Sequence, residues 1–383
     1  MAAFDWIPRY LKEKKKEVSH QFGDESLLGT KPPCTMYEKK PLLDPDGNEV
    51  EGLYVAWVTL NNPDQFNSYT RDMVRGTAVA FDKAVNDDSV VTVIYTGAGD
   101  KAFCTGGNVD EYTKYYAHRP LDCRNYMHPY WHVFESVWNS SKPFIRRANG
   151  ISIGGGEEIG GVCDLTIASD LATFGQVGPL HGSVPMGGAC QFKPVEMAIQ
   201  DAFWNCISCE QWSAYKMYRK NYIHKVVPVL KQDGKFIRNP LVITDRYVED
   251  GEIVYGEFKT GEEAKKAKKL VDTLPRDLSL LDKACMDIAW TFANLYPGCV
   301  GLALSMVRAV KKEIFDRTRA ELPWWFAANA GPFGEYDMGM TSFYTRKITG
   351  EGNIDILKYR RMLAEGYPLG EELYGAVMPK PKK

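Results

Sequence analysis

The sequence predicts an α/β fold built from repeated strand, turn and helix units, and four segments support this prediction. Leu53 to Leu60 is rich in β-branched and aromatic residues, which is typical of a strand. Thr70 to Asn86 carries apolar residues at helical spacing and begins at a capping threonine. Two later segments, Tyr95 to Asp110 and Pro143 to Asp164, share one plan: a strand, a glycine-rich turn and a helix start.

Composition excludes several classes of protein. The 383 residues are 44% hydrophobic and 25% charged, with a net charge of −2, which indicates a soluble globular protein. That charge predicts no nucleic-acid partner and no anionic membrane surface. Nine cysteines without a framework spacing favour a reducing cytoplasm, and the charged start from Met1 to Ser19 lacks the apolar centre of a signal peptide.

The second glycine-rich turn contains the residues with the clearest chemistry. Gly154, Gly155 and Gly156 allow a sharp turn and close approach of a ligand to the backbone. The first amides of the following helix lack partners within the helix, and Glu157 and Glu158 lie in its first turn. Such a turn can stabilise an oxyanion and move a proton beside it, or it can be a structural βα turn. The repeat of the plan at Tyr95 to Asp110 favours the first alternative.

Both turns resemble those of the crotonase (enoyl-CoA hydratase/isomerase) superfamily, over about Leu53 to Val227. The resemblance implies a spiral of ββα units with a C-terminal helical trimerisation region. It also implies that the amides of Gly107 and Gly155 bind a thioester oxygen, and that Glu158 is a catalytic acid or base. Asn61 to Asn67 resembles the loop that holds the CoA arm. The implied substrate and CoA contacts are Gln65, Phe66, Asn67, Thr105, Asn108 and Gly156.

The segment after the second turn departs from hydratases. Their second catalytic glutamate would fall at Gly178. The local sequence is similar instead to the branch with dihydroxynaphthoyl-CoA synthase and the ring hydrolases of alicyclic ketoacyl-CoA thioesters. The aspartate of those relatives would fall at Pro185, so His181 is the one titratable side chain of this loop. It is a candidate catalytic residue, although a lone histidine is more often structural.

The C-terminal part is predicted to be helical, over 278–293 and 300–321. Ser342 to Asp355 resembles a segment of that branch whose tyrosine reaches an active site, often a neighbour's, and Tyr344 is the match. Ile356 to Glu372 and the tail to Lys383 resemble the ring hydrolases. The apolar Trp324 to Phe326 cluster indicates a subunit contact or a pocket wall.

These patterns divide the chain into four parts. Residues 1–52 form an N-terminal extension, and 53–228 form the spiral core with the CoA and acyl sites. Residues 229–258 form inserted β-hairpins, and 259–383 form a helical region for oligomerisation.

The resemblance implies a cytoplasmic C–C bond hydrolase that opens the ring of a cyclic enoyl/β-ketoacyl-CoA in anaerobic benzoyl-CoA degradation. Water adds to the C=C bond, and a second water, assisted by His181 or Tyr344, cleaves the ring. The alternatives are a hydratase, a naphthoyl-CoA synthase-like lyase and a non-catalytic acyl-CoA-binding relative. The expected partners are an acyl-CoA and two or five further copies of the chain.

No cofactor beyond the CoA carried by the substrate is expected. The spacing of His128 and His132 allows a metal site, but no glutamate completes a metalloprotease pattern. In crotonase relatives this region borders the acyl pocket, so the resemblance implies that 112–141 is an aromatic pocket lining. Cys206 and Cys209 have no second pair and are interpreted as core cysteines.

Overall fold

The computed structural model describes residues 23–350 and 353–379. The predictions made for Met1 to Ser19 and for the last four residues of the tail lie outside these ranges. Within them, every helix is too short or too polar to cross a lipid bilayer.

The fold is built around two sheets. The larger sheet has six strands in the order β1-β2-β3-β5-β7-β10, antiparallel between β1 and β2 and parallel elsewhere. The smaller sheet has the order β4-β6-β8-β9. The strands of these sheets are β1 Cys34–Leu43, β2 Glu49–Asn61, β3 Val90–Gly97, β4 Ala102–Cys104, β5 Phe144–Ala148, β6 Ile151–Ile153, β7 Leu165–Ser169, β8 Thr173–Gly175, β9 Trp212–Ser213 and β10 Lys225–Val227.

Helices cover both faces of the larger sheet. They are α1 Arg71–Val85, α2 Pro120–Trp138, α3 Gly155–Gly161, α4 Ala189–Glu196, α5 Ile199–Ile207, α6 Ala214–Arg219, α7 Gly261–Thr273, α8 Ser279–Ala293, α9 Pro297–Thr318, α10 Leu322–Asn329, α11 Glu335–Thr349, α12 Ile356–Ala364 and α13 Glu371–Val377. A short helical segment, Val109–Glu111, continues as a π-helical turn over Tyr112–Tyr116.

Successive apolar side chains of β2 point to opposite faces of the sheet, which explains why the sheet is covered on both sides. Val58 and Leu60 join a core with α1 and α2, whereas Val55 and Trp57 pack against α8. Successive side chains of a strand point to opposite faces, so a strand with apolar residues at every position must be buried on both. Thr70 caps α1 by accepting a hydrogen bond from the Met73 amide at 3.2 Å, as the sequence predicts.

The boundary predicted at residue 52 differs from the structure. β1 lies within the predicted extension, and β2 begins at Glu49, before the boundary. The two strands pair from Cys34–Asn61 to Leu43–Glu49, so residues 34–52 are part of the main sheet. The turn at Asp44 to Gly47, which the sequence marks as irregular, is the hairpin loop between them. The prediction missed the pairing because Lys39, Lys40 and Pro41 interrupt the apolar pattern of an edge strand.

Two hairpins lie within 229–258: β11 Leu230–Gln232 with β12 Lys235–Ile237, and β13 Val248–Glu249 with β14 Glu252–Ile253. Both turns contain an Asp-Gly pair in the left-handed region, at Asp233 and Asp250.

Arg308 of the long helix α9 forms several hydrogen bonds with the core. Arg308 is 4% exposed. Its guanidinium forms two hydrogen bonds of 2.7 Å with Asp164, and it also donates to the carbonyls of Val137, Ser140 and Lys142. All of the acceptors lie around the loop before β5 and the start of β7, so Arg308 connects three separate parts of the chain.

We expect Arg308→Met to lower the free energy of unfolding by about 3 kcal/mol, because it leaves a mostly buried carboxylate and three carbonyls without this donor. Arg317→Met on the same helix is the matched control. Its ion pair with Glu313 is 68% exposed on both sides, and its loss should change stability by less than about 1 kcal/mol. Urea unfolding of both variants measures the difference. Equal decreases in the free energy of unfolding for the two variants would show that the buried hydrogen bonds of Arg308 stabilise the fold no more than an exposed ion pair does.

Candidate active site

The first glycine-rich turn is held by backbone pairing with Tyr69. The Tyr69 amide donates to Gly106 O and the Asn108 amide donates to Tyr69 O, both at 2.9 Å. These two hydrogen bonds involve Gly106 O and the Asn108 N–H, so the Gly107 N–H between them takes no part in the pairing with Tyr69. Asn108 then caps the following helical segment by accepting from the Glu111 amide at 3.1 Å.

The second turn brings the Gly155 amide to the same place. Gly154 has φ of 55°, a conformation that favours glycine, and Gly155 is the first residue of α3. Its amide therefore has no acceptor inside the helix. A Cβ atom built on Gly106 would lie 3.1 Å from the Gly155 nitrogen. The two turns are thus in direct contact, and Gly107 and Gly155, whose amides are predicted to bind one oxygen, line the same cavity.

Glu158 lies one helical turn into α3 and is buried. Its Oε1 accepts a hydrogen bond from the Gly187 amide at 2.8 Å. Burial raises the pKa of Glu158 to about 8, partly offset by the hydrogen bonds from Gly187 and Ala189. A carboxyl group with this pKa can hold a proton at neutral pH and exchange it with a ligand, which is what an acid or base needs.

These groups surround one cavity of about 130 Å³. Among the described residues that line it, Glu158 is the one carboxylate, and the remaining wall is mainly apolar and aromatic. The lining comprises Tyr69, Thr105, Gly106, Gly107, Val109, Tyr112, Tyr126, Met127, Tyr130, Gly154, Gly155, Glu158, Gln176, Val177, Gly178, His181, Ser183, Val184, Met186, Gly187, Phe326 and Met340. Phe326 of the predicted aromatic cluster is therefore a wall of the cavity, whereas Trp324 is 55% exposed.

His181 is part of this wall. Its ring packs edge-on against Phe343 of α11, with centroids 5.0 Å apart. Burial and the nearby Arg346 lower the pKa of His181, so the imidazole is neutral at pH 7 and can accept a proton. Gly178 lies in the cavity wall and Pro185 is buried nearby, so neither position supplies a carboxylate.

The predicted CoA-loop residues lie together over the first turn. Asn108 donates hydrogen bonds to Gln65 and Ser68, and Thr105 donates to the Phe66 carbonyl at 3.4 Å. Phe66 is 47% exposed, and its φ of 52° shapes the loop. Asn67 is 1% exposed, and its side chain donates to the carbonyls of Ala98 and Ala102. Asn67 thus positions the loop and presents no free side chain to a ligand.

Gly156 has a packing role. A Cβ atom there would overlap the Cys104 carbonyl of β4, so the residue allows α3 to approach the smaller sheet. It is not among the described residues that line the cavity.

Three other predicted residues lie away from the cavity lining. Tyr344 is half-buried on α11, one residue after Phe343, and is not in the described lining. His128 faces a separate pocket with Arg124 and Trp324, and His132 lies 3.3 Å from Glu135. No group of three or more metal-ligating side chains occurs within 23–350 and 353–379.

A buried ion pair behind α3 was not predicted. Glu157 and Lys193 are both fully buried, with Nζ 2.7 Å from Oε2, and Gln176 donates to the same oxygen at 2.7 Å. Neighbouring helix positions point about 100° apart. Two consecutive glutamates at a helix start therefore have different surroundings, and a buried carboxylate that stays ionised favours a cation beside it. This signal could have indicated a buried partner such as Lys193.

Three tyrosines of the lining, Tyr112, Tyr126 and Tyr130, were predicted only as part of an aromatic lining over 112–141, and the fourth, Tyr69, was not predicted. The hydroxyl oxygens of Tyr112 and Tyr126 are 3.0 Å apart, and Tyr130 donates to Gly155 O at 3.3 Å. The residue types were visible in the sequence, but their hydroxyl contacts depend on how α2 packs over the two turns.

Comparison with known proteins agrees with this geometry. Residues 51–284 match the enoyl-CoA hydratase/isomerase family. The chain belongs to this family. A curated member from Syntrophus aciditrophicus (strain SB), named 6-oxocyclohex-1-ene-1-carbonyl-CoA hydrolase, is 48% identical over 99% of both chains. A protein of the same name from Thauera aromatica is 41% identical over 95% of this chain and 96% of its own.

Solved members of the family support the fold. A crystal structure of an enoyl-CoA hydratase/isomerase from Mycobacterium paratuberculosis has a TM-score of 0.56, covering 81% of this chain and 98% of its own at 15% identity. The predicted α/β fold of the crotonase type is therefore confirmed.

Glu158 makes stability depend on pH in a defined direction. Its pKa is about 8 in the folded protein, against 4.5 for an ordinary glutamate. Between these values the folded state keeps a proton that the unfolded state releases, so this stabilisation is present below pH 4.5 and is lost as pH rises through 8. We expect the stability of the wild type relative to Glu158→Gln to fall by a few kcal/mol between pH 5 and 9.

Urea unfolding across that range measures the change. The exposed Glu262 provides a control, because Glu262→Gln should follow the wild-type profile. Parallel profiles for the wild type and Glu158→Gln would mean that Glu158 is not held in its neutral form.

Proposed function

We propose that this chain is a C–C bond hydrolase that converts 6-oxocyclohex-1-ene-1-carbonyl-CoA to 3-hydroxypimeloyl-CoA. The observation that carries the proposal is similarity along the whole chain to hydrolases named for this substrate. The cavity is consistent with it, because two adjacent amides, one buried carboxyl group and a neutral imidazole supply an oxyanion site and two proton-transfer groups. We further infer a cytoplasmic role in anaerobic aromatic degradation through benzoyl-CoA.

The first step is addition of water across the C=C bond. The water oxygen bonds to the ring carbon β to the thioester, and the electron pair of the double bond moves toward the thioester oxygen as an enolate. The amides of Gly107 and Gly155 stabilise this oxygen, and one such donor is worth about 3 kcal/mol. The ionised form of Glu158 accepts the proton of the water and then returns a proton to the α-carbon.

The second step is hydrolysis of the ring ketone. A second water loses a proton to His181 and bonds to the ketone carbon. Collapse of this adduct breaks the bond to the thioester α-carbon, whose electron pair again becomes the enolate. Protonation of that carbon yields the open chain with a new carboxylate. The thioester stays intact, and no oxidant, metal or further cofactor enters this scheme.

The other members of the fold fit less well. A plain hydratase would have a carboxylate at Gly178, and a naphthoyl-CoA synthase-like lyase would have one at Pro185. A non-catalytic acyl-CoA-binding protein would not need a buried Glu158 of raised pKa beside the two glycine-rich turns, because burial of such a group without function is costly.

We also propose that the chain assembles as a homotrimer or a dimer of trimers. Helix α9 exposes an apolar stripe whose side chains are between 52% and 72% accessible: Leu302, Met306, Val307 and Val310. A contiguous apolar surface of this kind is unfavourable in water and favours a subunit contact. Tyr344, which lies outside the cavity lining of its own chain, remains a candidate to reach a neighbour's site.

Incubation with 6-oxocyclohex-1-ene-1-carbonyl-CoA should give the linear product with the thioester intact. In ¹⁸O-labelled water, mass spectrometry should find two solvent oxygens, one as hydroxyl and one in the carboxylate. Glu158→Gln keeps the shape of the side chain but removes proton transfer, and should slow turnover by about 10²–10⁴-fold while CoA-ester binding persists.

Other products would identify other enzymes. A closed ring with one solvent oxygen would indicate a hydratase, and free CoA as the first product would indicate a thioesterase. Full activity of Glu158→Gln would exclude Glu158 as the acid or base.

Light scattering tests the assembly. We expect a particle of three or six times the 43.2 kDa chain mass. Met306→Glu with Val307→Glu should dissociate it, because two charges would have to be buried in the contact. Arg317→Glu, at an exposed position of the same helix, should not. A monodisperse wild-type monomer at micromolar concentration would overturn the proposal.

A further inference from the structure

Each glycine of the oxyanion site has a tyrosine hydroxyl beside it. A Cβ atom built on Gly107 would overlap the hydroxyl of Tyr112, and one built on Gly155 would overlap the hydroxyl of Tyr69. The space that a side chain would fill is therefore taken by a phenol at both positions. The two hydroxyls lie next to the two amides and line the same cavity.

These hydroxyls belong to one hydrogen-bonding cluster. The hydroxyl oxygens of Tyr112 and Tyr126 are 3.0 Å apart. Hydrogen bonding with Tyr69 lowers the pKa of both Tyr112 and Tyr130, against the larger rise caused by burial. Tyr130 uses its proton on the Gly155 carbonyl at 3.3 Å. Tyr126 can donate to Tyr112, which leaves the proton of Tyr112 for a ligand. Burial raises the pKa of all four tyrosines, so each stays a neutral donor at neutral pH.

The proposed reaction needs a second oxyanion site. Attack of water on the ring ketone turns its oxygen into an alkoxide, which is distinct from the enolate oxygen of the thioester. The two carbonyl carbons are both bonded to the same α-carbon. When the two oxygens point to the same side, they are close neighbours, and a group that binds the second must lie beside the group that binds the first.

We propose that the hydroxyls of Tyr69 and Tyr112 bind the ring ketone oxygen and stabilise its negative charge while the amides of Gly107 and Gly155 bind the thioester oxygen. This inference rests on the proposed function, because only a substrate with a ketone on the carbon next to the α-carbon needs both sites. Tyr126 and Tyr130 are positioning residues, which fix Tyr112 through its hydroxyl and Tyr69 through the neighbouring Gly155.

The assignment predicts which step each variant slows. Water addition to the C=C bond gives an enolate whose charge is shared between the thioester oxygen, which the two amides still stabilise, and the ketone oxygen. Tyr69→Phe and Tyr112→Phe should therefore slow this step only several-fold. Hydrolysis of the ketone localises the full charge of an alkoxide on the ketone oxygen, so it should slow by about 10²-fold or more, as loss of one oxyanion donor typically does. The hydrated, closed-ring thioester should therefore accumulate.

Single-turnover chemical quench with enzyme in excess tests this prediction. Mass spectrometry distinguishes substrate plus one water, with the ring closed, from substrate plus two waters, with the ring open. The closed-ring hydrate is also supplied directly, so that the second step is measured by itself. Tyr95→Phe is the control: Tyr95 is a fully buried tyrosine outside the cavity, packed against Phe81 and Phe103. It should behave as the wild type.

Two results would overturn the assignment. Variants that lose both steps equally would show that the tyrosines only support the fold of the site, and variants that open the ring at the wild-type rate would show that the hydroxyls do not touch the ketone. If the proposed function itself were wrong, the wild-type enzyme would leave the ring of the supplied hydrate closed, which distinguishes that outcome from the two results above.

Discussion

The contact between the two glycine-rich turns is the constraint on which the site depends. Gly106 approaches the Gly155 nitrogen so closely that a side chain there would need the turns to move apart. Parallel pairing of β4 with β6 brings the turns together. Two buried asparagines hold the connecting loops: Asn67 donates to Ala98 O and Ala102 O, and Asn149 donates to Gly99 O and Ala102 O. Because amide donors on rigid turns need no reorganisation, their alignment is available before a ligand binds.

The adjacent glutamates of α3 show how one helix start provides both a structural and a chemical carboxyl group. Glu157 points into the core, where the ammonium of Lys193 and the amide of Gln176 bind it. Glu158 has no cation partner among the described residues, and it accepts a hydrogen bond from the Gly187 N–H. The dipole of α3 favours negative charge at both positions, but for Glu158 burial outweighs it and the pKa rises. The difference between the two residues is set by their surroundings alone.

Local patterns predicted much of this arrangement. The strands at β2, β3 and β5, the capped helix α1 and the two turns follow from residue periodicity and glycine placement. Edge strand β1 was missed, because charged residues on an edge strand conceal its pairing. The Lys193 partner of Glu157 and the contacts between tyrosine hydroxyls were also missed. They join residues far apart in the chain, and no local pattern encodes the distance between two side chains that meet only after α2 and α4 have packed on the sheet.

The missing acids of the cavity and its many tyrosines have a common electrostatic explanation. A second carboxylate at Gly178 or Pro185 would share an apolar cavity with Glu158, and repulsion between like charges is strong where water is excluded. In the proposed ring opening, negative charge develops on two neighbouring oxygens in turn, and an anionic side chain beside them would oppose both steps. Neutral phenols donate hydrogen bonds without adding charge. A cavity with one carboxyl group, one neutral imidazole and four tyrosines is therefore better suited to two successive oxyanions than a cavity with two glutamates, which suits the activation of a single water.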